Sequence, residues 1–118
     1  EYQKEIREIS PFVLLVSNAN QQGYDFSLTP QALGDDGLLD LFWMEKSNLF
    51  NKTKFFFYAL LKKKLTAKRF NLVRLSALKI TLLDQDYFCV QIDGEYLPIS
   101  SNHLEVRVLP KKLNIIVP

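Results

Sequence analysis

Short apolar runs separated by polar, turn-forming segments dominate this chain. Residues 12–16 are apolar and bounded by polar residues, which predicts a strand buried on both faces. The apolar run 38–44 predicts a central strand. Later segments alternate or run apolar as half-exposed strands do: 71–74, 78–83, 87–92, 104–108 and 113–117.

One segment has helical periodicity instead. Between residues 51 and 65, apolar side chains recur every three or four positions, which predicts a helix. Asn51 or Ser47 is expected to cap its start, and the lysines at 62–64 lie where cations favour a helix C-terminus. Many short strands with one helix predict a mainly β fold, an antiparallel two-layer β-sandwich with one helix at about residues 51–65.

Composition narrows the classes of protein further. The chain has 118 residues, 47% of them hydrophobic, which is typical of one folded domain. No apolar run approaches the roughly 18–20 residues of a membrane-spanning helix, and no signal-peptide pattern opens the chain. Because the chain has one cysteine and no internal disulfide, the reducing cytoplasm is the expected compartment. The single histidine, His103, and single cysteine, Cys89, exclude zinc clusters and internal disulfides. Cys89 lies in an apolar run and is expected to be a small buried hydrophobe.

Basic residues are concentrated in the middle of the chain. The formal net charge is only +2, yet the stretch from 46 to 83 holds ten lysines and arginines and no aspartate or glutamate. Such a block either binds an anionic partner, such as a membrane surface, a phosphate or a nucleic acid, or forms a solvated face that neutralises the acidic flanks.

Two acidic turns carry candidate chemistry. Asp35-Asp36-Gly37 and Asp93-Gly94-Glu95 each place carboxylates beside a glycine. Carboxylates are hard oxygen ligands suited to Mg²⁺, which keeps several of its waters, and the glycine at 94 would let a metal-bound phosphate approach the backbone. Asp-Gly is also the commonest hairpin signal, so an ordinary turn is the alternative at both places.

Several motifs follow one another in a characteristic order. They are the segment 15–23 with Asn18, the segment 28–32 with Pro30-Gln31-Ala32, the segment Asp35-Asp36-Gly37-Leu38-Leu39-Asp40, the segment 90–95 with Asp93-Gly94-Glu95, and the closing segments 104–110 and 115–118. In this order they resemble the diacylglycerol and sphingosine kinase family, and the resemblance covers essentially the whole chain. Tyr24-Asp25 stands where family members often have glycines, which removes the bare backbone there.

The resemblance implies a particular place in a larger enzyme. Members of this family have a nucleotide-binding α/β domain with a Gly-Gly-Asp-Gly sequence, followed by a β-sandwich domain. This chain contains neither a Gly-Gly-Asp-Gly sequence nor a βαβ pattern, so residues 1–118 are expected to be the C-terminal domain alone. The implied function is ATP-dependent lipid phosphorylation, with ATP bound mostly by the missing N-terminal domain. The fragment by itself is expected to be inactive.

The resemblance also assigns roles to individual residues. Asp93 would activate the hydroxyl of a lipid substrate at a membrane surface, and Glu95 would place the metal and phosphate. Gly94 and Asn18 would lie against the cofactor. The Mg²⁺ associated with the Asp-Asp-Gly loop in bacterial members would map to the pair Asp35-Asp36.

A second hypothesis belongs to a different class, a non-catalytic binding module. The aromatic run 55–58 next to the lysines 62–64 has the content of a helix that engages an anionic membrane or, less favoured, a nucleic acid. The alternative is that these aromatic side chains pack against the sandwich. A third hypothesis is a structural domain that assembles with the N-terminal domain or with a second copy of itself.

Overall fold

Seven strands and one helix make up the described part of the chain. The computed structural model describes residues 5–20, 27–46, 48–60 and 70–109. In chain order the elements are β1 Pro11–Ser17, β2 Leu39–Glu45, α1 Leu49–Leu60, β3 Phe70–Leu75, β4 Ala77–Thr81, β5 Phe88–Ile92, β6 Glu95–Ile99 and β7 His103–Arg107. All strand pairs are antiparallel. The predicted fold class, a mainly β sandwich-like domain with one helix, is confirmed.

The strands form a three-stranded sheet and two ribbons. The sheet has the order β1-β2-β3, while β4 pairs with β7 and β5 pairs with β6. The prediction of a central strand at 38–44 is confirmed, since β2 lies between two partners. The prediction that residues 12–16 are buried on both faces is wrong. Within the described residues β1 is an edge strand, so its side chains are only half-buried and Phe12 is 47% exposed.

The core is built on one face of β2 and on α1. Phe42 and Met44 project from the same face of β2, because side chains two apart in a strand share a face. Phe55 of α1 and Phe70 of β3 complete an aromatic cluster, with ring centroids 5.7–6.2 Å apart. This cluster packs α1 against the sheet.

The helix begins earlier than the sequence predicts. Its first turn is capped by Asn48, whose side-chain oxygen accepts a hydrogen bond from the backbone N–H of Asn51 at 3.2 Å. Asn51 is therefore not the cap but the residue that donates to it. Ser47, the lysines 62–64 and the strand expected at 113–117 lie outside the described residues. No helix in the described ranges is long and apolar enough to cross a membrane.

The β5–β6 ribbon differs from the sequence predictions in two respects. Phe88 is buried, and strand alternation places the next residue, Cys89, on the opposite face, where it is exposed. The prediction of a buried cysteine is therefore wrong. The Cys89 Sγ lies 3.3 Å from the hydroxyl oxygen of Tyr96, its diagonal neighbour across the ribbon. The sequence pattern predicts no strand at β6, which contains Pro98, a residue without a backbone N–H.

Candidate functional site

The Asp-Asp-Gly loop leads directly into the buried strand β2. The Asp36 Oδ1 accepts a hydrogen bond from the backbone N–H of Leu38 at 2.9 Å, which closes a local turn. Gly37 has a φ of +74°, a backbone conformation that side chains strongly disfavour. The glycine and this hydrogen bond together fix the direction of the Asp36 carboxylate.

The loop that carries Asn18 lies beside the Asp-Asp-Gly loop. A Cβ atom added to Gly34 would stand 3.4 Å from the Asn18 carbonyl oxygen, so the two backbones are in close contact. The Ala19 carbonyl oxygen accepts hydrogen bonds from the hydroxyls of Ser17, at 2.8 Å, and Thr29, at 3.0 Å. The structure therefore brings the loop of the predicted cofactor residue Asn18 next to the loop of the predicted metal residues.

A buried acid stands at the same end of the sheet. Asp40 on β2 pairs in register with Ser17 of β1 and Arg74 of β3, so these three side chains share one face. The Asp40 side chain is completely buried, and its Oδ1 lies 3.6 Å from the Arg74 Nε, an ion pair beyond hydrogen-bond distance. The Arg74 Nη2 donates instead to the Asp36 Oδ2. Arg74 thus connects the Asp-Asp-Gly loop to the buried acid of the sheet.

The electrostatics of Asp40 reflect its burial. Burial raises the pKa of the Asp40 carboxyl above its ordinary value of 3.8; Arg74 lowers this pKa, and the nearby Asp36 raises it. Neither carboxylate oxygen of Asp40 has a hydrogen-bond partner among the described residues. An ionised carboxylate without such partners is costly in a protein interior, so Asp40 depends on Arg74 for compensation.

The oxygen donors of this cluster fit Mg²⁺ in their chemistry. Mg²⁺ in proteins binds one or two carboxylates and keeps several waters. The exposed Asp35 and the oriented Asp36 can supply these carboxylates. Arg74 is the competing cation, because it holds one oxygen of Asp36. Across the described ranges, no group of three or more His, Cys, Asp or Glu side chains comes together that could hold a metal. A metal here would therefore rely on water or backbone carbonyls for its other ligands.

The second acidic turn is the tip of the β5–β6 hairpin. Ile92 pairs with Glu95, and the two residues between them, Asp93 and Gly94, have φ values of +49° and +93°. Positive φ at both central residues is the type I′ geometry that Asp-Gly favours in two-residue hairpins. All three residues of the Asp93-Gly94-Glu95 motif are exposed. The turn thus places two carboxylates in solvent on a two-residue type I′ hairpin.

Comparison with protein families finds a match over nearly the entire chain. Residues 2–117 match the family described as the YegS C-terminal NAD kinase beta sandwich-like domain. The chain belongs to this family. It is the C-terminal domain of a YegS-type lipid kinase. Neither a curated protein nor a solved structure matches the chain.

In this YegS-type domain the predicted site residues fall into two groups. The loops of Asn18 and of Asp35-Asp36 are neighbours, whereas Asp93-Gly94-Glu95 belongs to a separate hairpin. No hydrogen bond or ion pair among the described side chains joins the two groups. Sequence reasoning missed Asp40 and Arg74. The signal for Asp40 was present, since an acid within an apolar strand is expected to have a partner.

Proposed function

We propose that this domain forms the lipid-side wall of the interdomain cleft in an ATP-dependent lipid kinase of the diacylglycerol or sphingosine kinase type. A nucleotide-binding domain of the same protein would bind most of the ATP, and the enzyme would act at the cytoplasmic surface of a membrane. Membership of the YegS C-terminal domain family supports a lipid kinase. The single structural observation in favour is the exposed type I′ hairpin that carries Asp93 and Glu95.

The proposed chemistry assigns one proton transfer to this hairpin. The lipid hydroxyl oxygen attacks the terminal phosphorus of ATP, the bond from that phosphorus to the bridging oxygen breaks, and ADP leaves. The hydroxyl proton passes to the carboxylate of Asp93, which acts as general base. The exposed position of Asp93 suits this role, because a base at an interdomain cleft must be reachable from the second domain.

The other acids would neutralise charge rather than accept the proton. Glu95 begins β6 beside the turn and would help to place the phosphates and their metal, with Gly94 allowing close approach of the backbone. Asp35 and Asp36 would hold Mg²⁺, which supplies charge neutralisation when bound. Asn18 would contact the cofactor from the neighbouring loop. Positioning and charge neutralisation dominate phosphoryl transfer, so acids near the phosphates are the expected contribution of this domain.

The test is Asp93→Asn in the two-domain kinase. A general base contributes about 10²–10⁴-fold to the rate, so kcat should fall by a factor in that range. The melting temperature should stay close to wild type, because Asn-Gly forms a type I′ turn as well as Asp-Gly does. The matched control is Asp84→Asn, another exposed aspartate, which should leave kcat unchanged. Wild-type kcat in Asp93→Asn would mean that this residue serves only the turn.

A further inference from the structure

The helix α1 exposes four large apolar side chains on its outer side. Leu49 and Phe56 lie two turns apart on one side of the helix, and Phe50 and Phe57 form the adjacent row. These four side chains, the outer face of α1, are 61–79% exposed. Single exposed apolar residues are ordinary, but three aromatic rings and a leucine exposed on one side of a helix indicate an interaction surface.

Packing in the core does not bury these four side chains. Phe55 projects toward the sheet, where it packs against Phe42 and Phe70. The alternative prediction, that the aromatic run packs against the sandwich, is thus correct for Phe55 and wrong for Phe56 and Phe57. The helix is apolar on two faces, and only the inner face is buried among the described residues.

Two lysines of α1 lie against aromatic rings, one of them on the outer face. The Lys54 Nζ lies 4.8 Å from the centroid of the Phe50 ring, and the Lys52 Nζ lies 4.3 Å from that of Phe12, itself partly exposed on β1. The first turn of α1 has no acidic residue, and the sequence has none from 46 to 83. The exposed apolar rings therefore have only positive charge beside them in the sequence.

We propose that the outer face of α1 docks this domain onto an anionic lipid surface. Helices that lie in a membrane interface combine aromatic and leucine side chains on one face with flanking lysines. The apolar rings would enter the acyl boundary, while Lys52 and Lys54 would meet the negatively charged headgroups. The helix α1 itself has no acidic residue, so its charge is complementary to such headgroups. This role does not depend on Asp93 or on the proposed catalysis.

The experiment is co-sedimentation of the 118-residue chain with lipid vesicles. Vesicles of phosphatidylcholine mixed with phosphatidylserine should bind the chain, and added salt should weaken the binding. Vesicles of phosphatidylcholine alone should bind it much less. The double variant Phe56→Ser, Phe57→Ser should lose about tenfold or more of the affinity, because two rings no longer leave water.

Lysine variants test the electrostatic part separately. Lys52→Gln and Lys54→Gln should each weaken binding to the anionic vesicles by about fivefold, the usual effect of one basic residue near such a surface. The matched controls are Leu83→Ser and Lys79→Gln, an exposed leucine and an exposed lysine away from α1. Both controls should bind as wild type does, and melting curves show whether each variant is folded.

Three outcomes would overturn this proposal. The first is equal binding to neutral and anionic vesicles, or no binding to either. The second is binding to single-stranded DNA without binding to vesicles, which would assign the rings to base stacking. The third is a dimer in size exclusion that Phe56→Ser, Phe57→Ser dissociates, without vesicle binding by wild type. Loss of kinase activity in Asp93→Asn is independent of all three results.

Discussion

At the scale of single residues, Arg74 is shared between two carboxylates. It donates to the Asp36 Oδ2 while its Nε stands 3.6 Å from the Asp40 Oδ1. A cation that binds Asp36 must therefore compete with this guanidinium. The arrangement makes Arg74 a positioning residue for the Asp-Asp-Gly loop, because it joins that loop to β3.

Replacing Arg74 removes the positive charge that competes with Mg²⁺ for Asp36. Arg74→Gln should strengthen Mg²⁺ binding at Asp36 several-fold, since the carboxylate loses its nearest positive charge. A Mg²⁺ titration followed by the amide NMR signals of Gly37 and Leu38 measures the affinity directly. Arg107→Gln, an exposed arginine on β7, is the matched control and should titrate as wild type does. Unchanged affinity in Arg74→Gln would show that Mg²⁺ does not bind at Asp36.

The buried acid Asp40 leads to a prediction about pH. Its pKa in the folded state is raised, mainly by burial, so the folded protein holds this proton at pH values where the unfolded chain has released it. The free energy of unfolding therefore falls as the pH rises above the ordinary carboxyl pKa of 3.8. Asp40→Asn cannot ionise and should escape this loss.

Thermal unfolding of both proteins at several pH values tests this. The stability of Asp40→Asn relative to wild type should increase as the pH rises from about 4 to about 7. Asp86→Asn, at an exposed aspartate, is the matched control for the loss of one carboxylate. A difference between Asp40→Asn and wild type that stays constant with pH would contradict the raised pKa.

At the scale of elements, the sequence predicted those strands, helices and turns that depend on interactions between residues close in sequence. The apolar run of β2, the helical period of α1 and the Asp-Gly turn each result from interactions between residues close in sequence, and the structure has all three. The exposure of Cys89 and the edge position of β1 depend on which strands lie alongside, which no short segment specifies. The segment of β6 does not read as a strand in the sequence, because it contains Pro98. Proline is tolerated in a strand only where its missing N–H has no partner to lose.

The residues of the candidate site also fall into those that the sequence predicts and those that it does not. The acids of both turns could be named from the sequence, since Asp-Gly and Asp-Asp-Gly are contiguous signals. The pairing of Asp40 with Arg74 could not be named, because it depends on the register between β2 and β3. The segment that connects these strands includes α1, so their register is a property of the folded domain. Long-range register is thus the main information that the sequence patterns lacked.

At the scale of the whole molecule, the proposed function makes this domain one part of a divided active site. Phosphoryl transfer requires the phosphates, the acceptor hydroxyl and the neutralising charges to be held together. The sequence has no glycine-rich loop that could cradle the phosphates of ATP. The acids of the domain lie on separate loops and hairpins, and in the described ranges they do not converge on a common centre.

The last prediction is therefore that the 118-residue chain alone transfers no phosphate from ATP to diacylglycerol or to sphingosine. Radiolabelled ATP, with phosphatidylcholine–phosphatidylserine vesicles containing either acceptor, measures the transfer. The same vesicles should bind the chain through the outer face of α1, so absence of product cannot be attributed to absence of contact with the lipid. The two-domain kinase should form product under the same conditions, and its Asp93→Asn variant should not approach that rate. Turnover by the isolated chain would contradict the divided site, because the domain would then bind ATP productively by itself.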